Sequence, residues 1–364
     1  DNINTTSINS GQASGRKNLI INGAMQVAQR GTSFSSNNSS HYMMDRFKSE
    51  ADNDGAFTIS QSTTAPDGFS KSLKVDITST DTSLSANQYQ QITYKVEAQD
   101  LQHLAYGTSA AKTITLSFYV KSNKTGNYNF VYEQPDNSNK LASYQYTINS
   151  ANTWEKKVIT TIGDTSGVIN DDNGAGFNMK WGLAYGSTYS SGSVTNGWAA
   201  QNNANFGAGQ DVNLLDSTSN EWYITGVQLE VGSTATDFEH RSFGDELLKC
   251  QRYFIQYGSS NLTSGAFPFA PGYLYNGGNR IATGVTTPVK MRTQPSLSIV
   301  GTIAGYGNGN NSNIATVFSI GSADDTNFIF FTADGAGSFD WGNDNTIVVL
   351  VQNSSGALQL SAEL

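Results

Sequence analysis

A chain of 364 residues has room for two domains with substantial cores. Only 14% of its residues are charged, the formal net charge is −9, and Ser, Thr, Asn and 36 glycines fill the place of the missing charges. That balance excludes sequence-independent nucleic-acid binding, which needs clustered Lys and Arg, and it disfavours anionic membranes. A single cysteine, Cys250, excludes an intrachain disulfide framework and any zinc site built on several thiolates. An aromatic content of 11% argues against disorder. No apolar run approaches the roughly 20 residues of a membrane helix.

Residues 1–16 are polar and aperiodic, and they are expected to be a linker or arm from an upstream segment. In Lys17 to Phe34 a short apolar run, Leu19 to Ile21, closes on the turn dipeptide Asn22-Gly23, and Met25, Val27 and Ala28 begin a second segment. From about Tyr42 to Val231 strand signals recur. The clearest is KTITLSFYVKS, where Ile114, Leu116, Phe118 and Val120 alternate with Thr115, Ser117, Tyr119 and Lys121. Segments 128–133, 141–148, 154–161 and 179–186 continue the pattern between loops rich in Asn, Gly, Ser and Asp. Eight or so such strands without intervening helices predict an antiparallel jelly-roll sandwich. The longest polar loop, 186–213, is a candidate for function. The strand in Trp222 to Val231 closes this sandwich, giving a first domain over 17–241.

A short helix is predicted over 242–254. Ser242 caps it, Asp245 and Glu246 open it, and Lys249 and Arg252 suit its C-terminal end. Its stripe of Leu247, Cys250 and Phe254 marks the thiol as buried and inert. A second β-domain, a smaller sandwich, follows over 255–364, with strand segments in VKMRTQPSLSIV, ATVFSIG, NFIFFTADG, NTIVVLVQN and the terminal GALQLSAEL. The fold class is therefore all-β.

NLIINGAMQVAQRGTS, GVQLEVGSTATDFEHRSFGDELLKCQRYF, PVKMRTQPSLSI and the Ala-Glu-Leu end resemble phage virion proteins, the tail-fibre and appendage proteins of marine and cyanobacterial phages. The first domain also resembles jelly-roll carbohydrate-binding modules, whose last strand ends much as Val227 to Gly232 and Ala235 to Glu239 do here. The resemblance implies a virion location, a homo-oligomer (a trimer), other virion proteins as partners, and a host-surface glycan as ligand. No nucleic-acid partner and no membrane insertion are expected. The helix and the apolar strands of the second domain are expected to form the subunit interface.

Sugar recognition uses aromatic faces with amides or charged groups fixing the hydroxyls. Trp154, Trp181 and Trp222 lie in strand patterns and read as core. Trp198 sits in the polar loop beside Asn196, after Tyr185 and Tyr189, and reads either as a loop anchor or as a ligand contact. Trp341, in FDWGND, is a similar case. Paired carboxylates beside glycine turns, Asp52 with Asp54, Asp171 with Asp172, and Asp324 with Asp325, offer hard oxygen ligands. The resemblance implies one structural calcium, with Asp52 and Asp54 as first candidates and solvated turn carboxylates as the competing reading. No other cofactor is expected.

Catalysis is the rival reading. A glycan depolymerase needs two carboxylates about 5–10 Å apart, and Glu133, Asp136, Glu155 and Glu221 are available. No solenoid repeat appears, and His41, His103 and His240 have no nucleophile elbow beside them. The expectation is a non-enzymatic fibre or appendage protein that binds glycans through loop aromatics. A purely architectural connector or capsid ornament is the first alternative and a depolymerase the second.

Overall fold

The structure is a computed structural model that describes residues 17–36, 40–136, 140–258, 266–275, 280–307, 310–313, 317–322, 328–334 and 346–364. The linker expected over 1–16 lies outside the described residues. Two compact units divide the chain, residues 1–246 with Leu364 and residues 247–363.

Among the described residues the first unit contains twelve strands: β1 (Ser33–Ser36), β2 (His41–Tyr42), β3 (Phe47–Asp52), β4 (Ala56–Ser62), β5 (Ser72–Ser79), β6 (Tyr89–Glu97), β7 (Ile114–Ser122), β8 (Gly126–Gln134), β9 (Lys140–Ile148), β10 (Glu155–Thr161), β11 (Ala175–Tyr185) and β12 (Glu221–Val231). They form two six-stranded antiparallel sheets, in the orders β1-β4-β5-β12-β7-β10 and β2-β3-β6-β11-β8-β9. The chain crosses repeatedly from one sheet to the other, so each sheet buries one face against its partner as a jelly-roll sandwich.

Alternation decides what lies between the sheets. In β7, Ile114, Leu116, Phe118 and Val120 are all fully buried and meet Trp181 of β11 and Trp222 of β12 in one core cluster. Trp181 sits among Phe47, Phe118 and Phe130 with ring centres 5.0–6.4 Å apart. Trp154 differs from the other strand tryptophans. It is half-buried on the outer face of the first sheet, edge-on to Tyr223, with the Lys121 ammonium over both rings.

The Leu19–Ala28 stretch forms no strand. It is instead clamped against β12 and the segment after it. Leu19 N–H donates to the Leu229 carbonyl and Val227 N–H to that of Gly23. A Cβ on Gly23 would lie 2.1 Å from the Val227 carbonyl oxygen, so only glycine fits. Asn22, at φ 62°, ties Val27 and Asp45 together through its side-chain amide. The Arg241 guanidinium donates to the carbonyls of Ile20 and Asn18 and pairs with Glu239 and Glu246. Glu239 in turn accepts from the Asn18 N–H at 2.6 Å and Glu246 from that of Asn22. Phe238 and His240 pack with Phe69 and Tyr119 over Gly226, a bulge in β12 with φ +62°.

The helix Phe243–Gln251 begins as predicted. Ser242 Oγ accepts from the Asp245 N–H at 3.2 Å, and Cys250 is fully buried. In the second unit, β13 (Phe254–Tyr257), β14 (Ala266–Tyr275), β15 (Arg280–Thr286), β16 (Ser296–Gly307), β17 (Asn310–Asn313), β18 (Val317–Ser322), β19 (Phe328–Asp334) and β20 (Thr346–Ser361) join in one eight-stranded antiparallel sheet. Sequence pattern separates NTIVVLVQN from GALQLSAEL, yet both belong to β20. That strand pairs with β13, β14 and β16, and a register shift in β16 at Val300/Thr302 absorbs the break.

Candidate functional site

The outer face of the second sheet carries the polar half of each alternation. Lys48 and Glu50 point out from β3, Tyr89 and Gln91 from β6, Lys180 from β11 and Glu133 from β8. Register brings them together, since Glu50 pairs with Gln91, Gln91 with Gly182, and Asn178 with Glu133. A bulge between Gly182 and Ala184 swings Tyr185 onto this outer face opposite Tyr89. Its ring then lies across Gly182, where a Cβ would come within 2.1 Å of Tyr185 Cε2.

The long loop 186–213 folds back over this face. Phe206 packs with Val131 and Leu141 as a small second core, flanked by Tyr185 and Tyr189. Backbone bonds between Leu141 and Ala199 in both directions (3.0 and 2.8 Å) and from Gly207 N–H to the Tyr189 carbonyl (2.7 Å) hold it down. The Asn129 amide donates to the carbonyls of Phe206 and Ala208.

Between loop and sheet lies a groove of about 200 Å³. Its floor is Glu50, Gln91, Glu133 and Lys180, and its walls are Tyr89, Tyr185, Tyr189 and Phe206, with the amides of Gln201 and Asn203 at the loop side. The floor is wired by hydrogen bonds. Gln91 Nε2 donates to Glu50 Oε2 at 3.0 Å, and the Tyr185 hydroxyl donates to Gln91 Oε1 at 2.7 Å. Lys180 pairs with Glu133 at 2.6 Å and Lys48 with Glu50 at 3.0 Å. Burial works to raise the Glu50 carboxyl, but the hydrogen bonds from Lys48 and Gln91 and the charges of Lys48 and Lys180 outweigh it and hold it below its ordinary value. Burial first, then the fields of Glu133 and Glu50, push the Tyr185 phenol well up, so it stays a neutral donor.

Of the residues singled out in the sequence, Tyr185 and Tyr189 line the groove. Trp198 does not. Its indole stacks on Phe177 (5.8 Å, 20°), meets Tyr106 and Tyr132, and donates to the Ile162 carbonyl at 3.0 Å, which makes it an anchor of the loop. Asn196 is exposed in a left-handed turn at φ 52°, its N–H bonded to the Ser143 carbonyl and remote from the groove lining. Trp341 lies outside the described residues.

The candidate calcium ligands are not assembled either. Asp52 and Asp54 are exposed, the Asp54 N–H donates to Asp81 Oδ2, and Asn53 caps the turn through the Gly55 N–H. Among the described residues no three His, Cys, Asp or Glu side chains are placed to hold a metal ion. Asp172 caps its own turn at Gly174, and Asp324 and Asp325 are outside the described residues. The four carboxylates considered for catalysis are dispersed. Only Glu133 lies in the groove, while Asp136 binds the Asn170 N–H, Glu221 pairs with Lys74, and Glu155 caps the 149–150 turn.

Glu50, Tyr89, Gln91, Lys180 and Phe206 also line the groove, and the sequence does not single them out. Alternation places four of them on the outward face, but only sheet order shows that these faces converge. No family model and no curated protein matches the sequence. Among solved structures, the bacteriophage CBA120 tailspike protein 4 enzymatically active domain is similar over 59% of this chain and 21% of its own, at 12% identity and TM-score 0.30. The chain thus spans about a fifth of that protein. A family 11 carbohydrate-binding module from Clostridium thermocellum, in complex with a mixed-linked tetrasaccharide, is similar over 57% of this chain and 98% of its own, at 11% identity and TM-score 0.29. A putative sugar binding protein from Bacteroides thetaiotaomicron is similar over 59% of this chain and all of its own, at 13% identity and TM-score 0.31.

Proposed function

We propose that this chain is a glycan-binding component of a phage tail fibre or appendage, that it acts as a symmetric oligomer, and that the groove over β3, β6, β11 and β8 is its ligand site. The groove itself carries the reading. Aromatic walls offer apolar surface to a pyranose ring, while two carboxylates, one ammonium and three amides fix hydroxyls, all held on a sheet by a pinned loop. The sequence markers at 18–33, 226–254 and 288–299 support the virion setting. One groove of this size gives modest affinity, which symmetric copies multiply.

The site is proposed to bind without catalysis. A glycosidase acid must stay protonated near neutral pH, whereas Glu50 is held ionised and Glu133 is locked to Lys180. The test is binding of the fluorescently labelled protein to candidate bacterial host cells, beside Tyr189→Ala and Glu133→Gln variants. Loss of coating by both variants is expected. Equal coating by the variants moves the site elsewhere, and absence of coating on every host leaves the architectural role. Release of reducing ends from a bound polysaccharide refutes the non-catalytic assignment.

A further inference from the structure

The groove combines four aromatic rings with two carboxylates, which is more than a neutral sugar requires. The rings stand as walls, not as a flat platform. Tyr89 meets Tyr189 at 5.4 Å and 74°, Tyr189 meets Phe206 at 6.3 Å and 73°, and Tyr185 meets Tyr189 at 6.1 Å and 47°. Rings set steeply to one another around a small volume leave electron-rich faces for an ammonium group to meet. Carboxylates in the same space add direct charge-assisted hydrogen bonds.

The protein already shows this chemistry with its own lysine. The Lys180 ammonium lies 2.6 Å from Glu133 Oε2 and 4.5 Å from the centre of the Phe206 ring. Beside it, Glu50 lines the same groove as Tyr89; its direct ion pair comes from the rim, from Lys48 at 3.0 Å, whose side chain is 25% exposed, while Lys180 acts on it through space. Resting on the glycan reading above, we infer that the groove selects a glycan carrying free amino groups, a hexosamine polymer whose ammonium enters between Glu50 and the tyrosine walls. An N-acetyl group in that position offers no charge to Glu50. A uronate brings a third carboxylate beside Glu50 and Glu133, whose partners Lys48 and Lys180 are already engaged, in a protein whose net charge is −9.

The test is titration calorimetry of the full chain, at mildly acidic pH and low salt, with four tetrasaccharides: glucosamine, N-acetylglucosamine, cellotetraose and galacturonate. The glucosamine oligomer is expected to bind about tenfold tighter than its acetylated counterpart, as a charge-assisted contact implies. Added salt should shrink that ratio, and Glu50→Gln should collapse it toward one. Lys180→Met, which removes the competing internal ammonium, should widen it. Equal affinity for the amine and acetylated oligomers, or preference for galacturonate, overturns the inference while leaving glycan binding intact. Failure to bind any of the four sinks the glycan reading and the inference with it.

Discussion

Glu155 offers a sharp test of how this loop-rich sandwich is held. Its carboxylate accepts from the Asn149 N–H and Nδ2, both at 2.8 Å, and from the Ser150 N–H at 2.9 Å, and it pairs with Lys157 at 2.6 Å. Burial acts to raise its pKa, but these four contacts win and bring it from 4.5 down to about 2. At about 1.36 kcal/mol for each tenfold of proton affinity, that displacement corresponds to at most about 3 kcal/mol. Solvent screening near the surface halves this, leaving about 1–2 kcal/mol. Because the folded pKa is depressed, the contribution is fully present above about 4.5 and is lost as pH falls from there toward about 2. Glu155→Gln keeps the shape and removes the charge. Urea unfolding followed by Trp181 and Trp222 fluorescence, which reports the first unit, should show the variant about 1–2 kcal/mol weaker at neutral pH. The gap should close near pH 2. A gap unchanged across that window, or no gap at neutral pH, refutes the electrostatic account of the 149–155 turn.

Arg241→Ala should cost about 2–4 kcal/mol, because it strands the carboxylates of Glu239 and Glu246 and frees the carbonyls of Asn18 and Ile20. Limited proteolysis should then cut within residues 17–30, and an unchanged digest speaks against the clamp. Gly226→Ala should cost about 1–3 kcal/mol, since φ is +62° and the new methyl would lie 2.7 Å from Phe69 and 2.9 Å from Tyr119. A neutral melting temperature contradicts that. Trp198→Ala should lower stability by about 2–4 kcal/mol through lost contacts with Phe177, Tyr106 and Tyr132. Groove binding should survive well below the melting temperature, and selective loss of binding at full stability would return Trp198 to the ligand site.

Local signals that report one element survive intact in the structure. The period-2 pattern of Ile114 to Lys121 is β7, and the Ser242 cap with its acidic first turn is the helix start. Signals whose meaning depends on a distant partner do not. Asn22-Gly23 reads as a free turn, but Gly23 is required because the carbonyl of Val227 presses where its side chain would be. GALQLSAEL reads as a separate terminal strand, and pairing to β16 makes it part of β20. Neither contact has a sequence period to announce it.

The groove is the extreme case of that dependence. Glu50, Gln91, Glu133 and Lys180 are spread over four strands whose spatial order, β3-β6-β11-β8, is not their chain order. Each residue alone is an ordinary solvent-facing member of an alternating strand, and only the crossover that sets β11 between β6 and β8 makes them neighbours. Exposed-looking aromatics in a polar loop were the readable signal, and the loop used them in two ways. A polar segment laid over a sheet must be tied down by whatever apolar side chains it has, so Trp198 packs against the core at Phe177 and Phe206 onto Val131 and Leu141. Tyr185, the last residue of β11, and Tyr189, at the start of the loop, remain half-buried and line the open space. Where a ring sits along the loop, and not its size, therefore decides whether it borders the groove: Phe206 anchors the loop and also walls the groove, whereas Trp198 serves as an anchor alone.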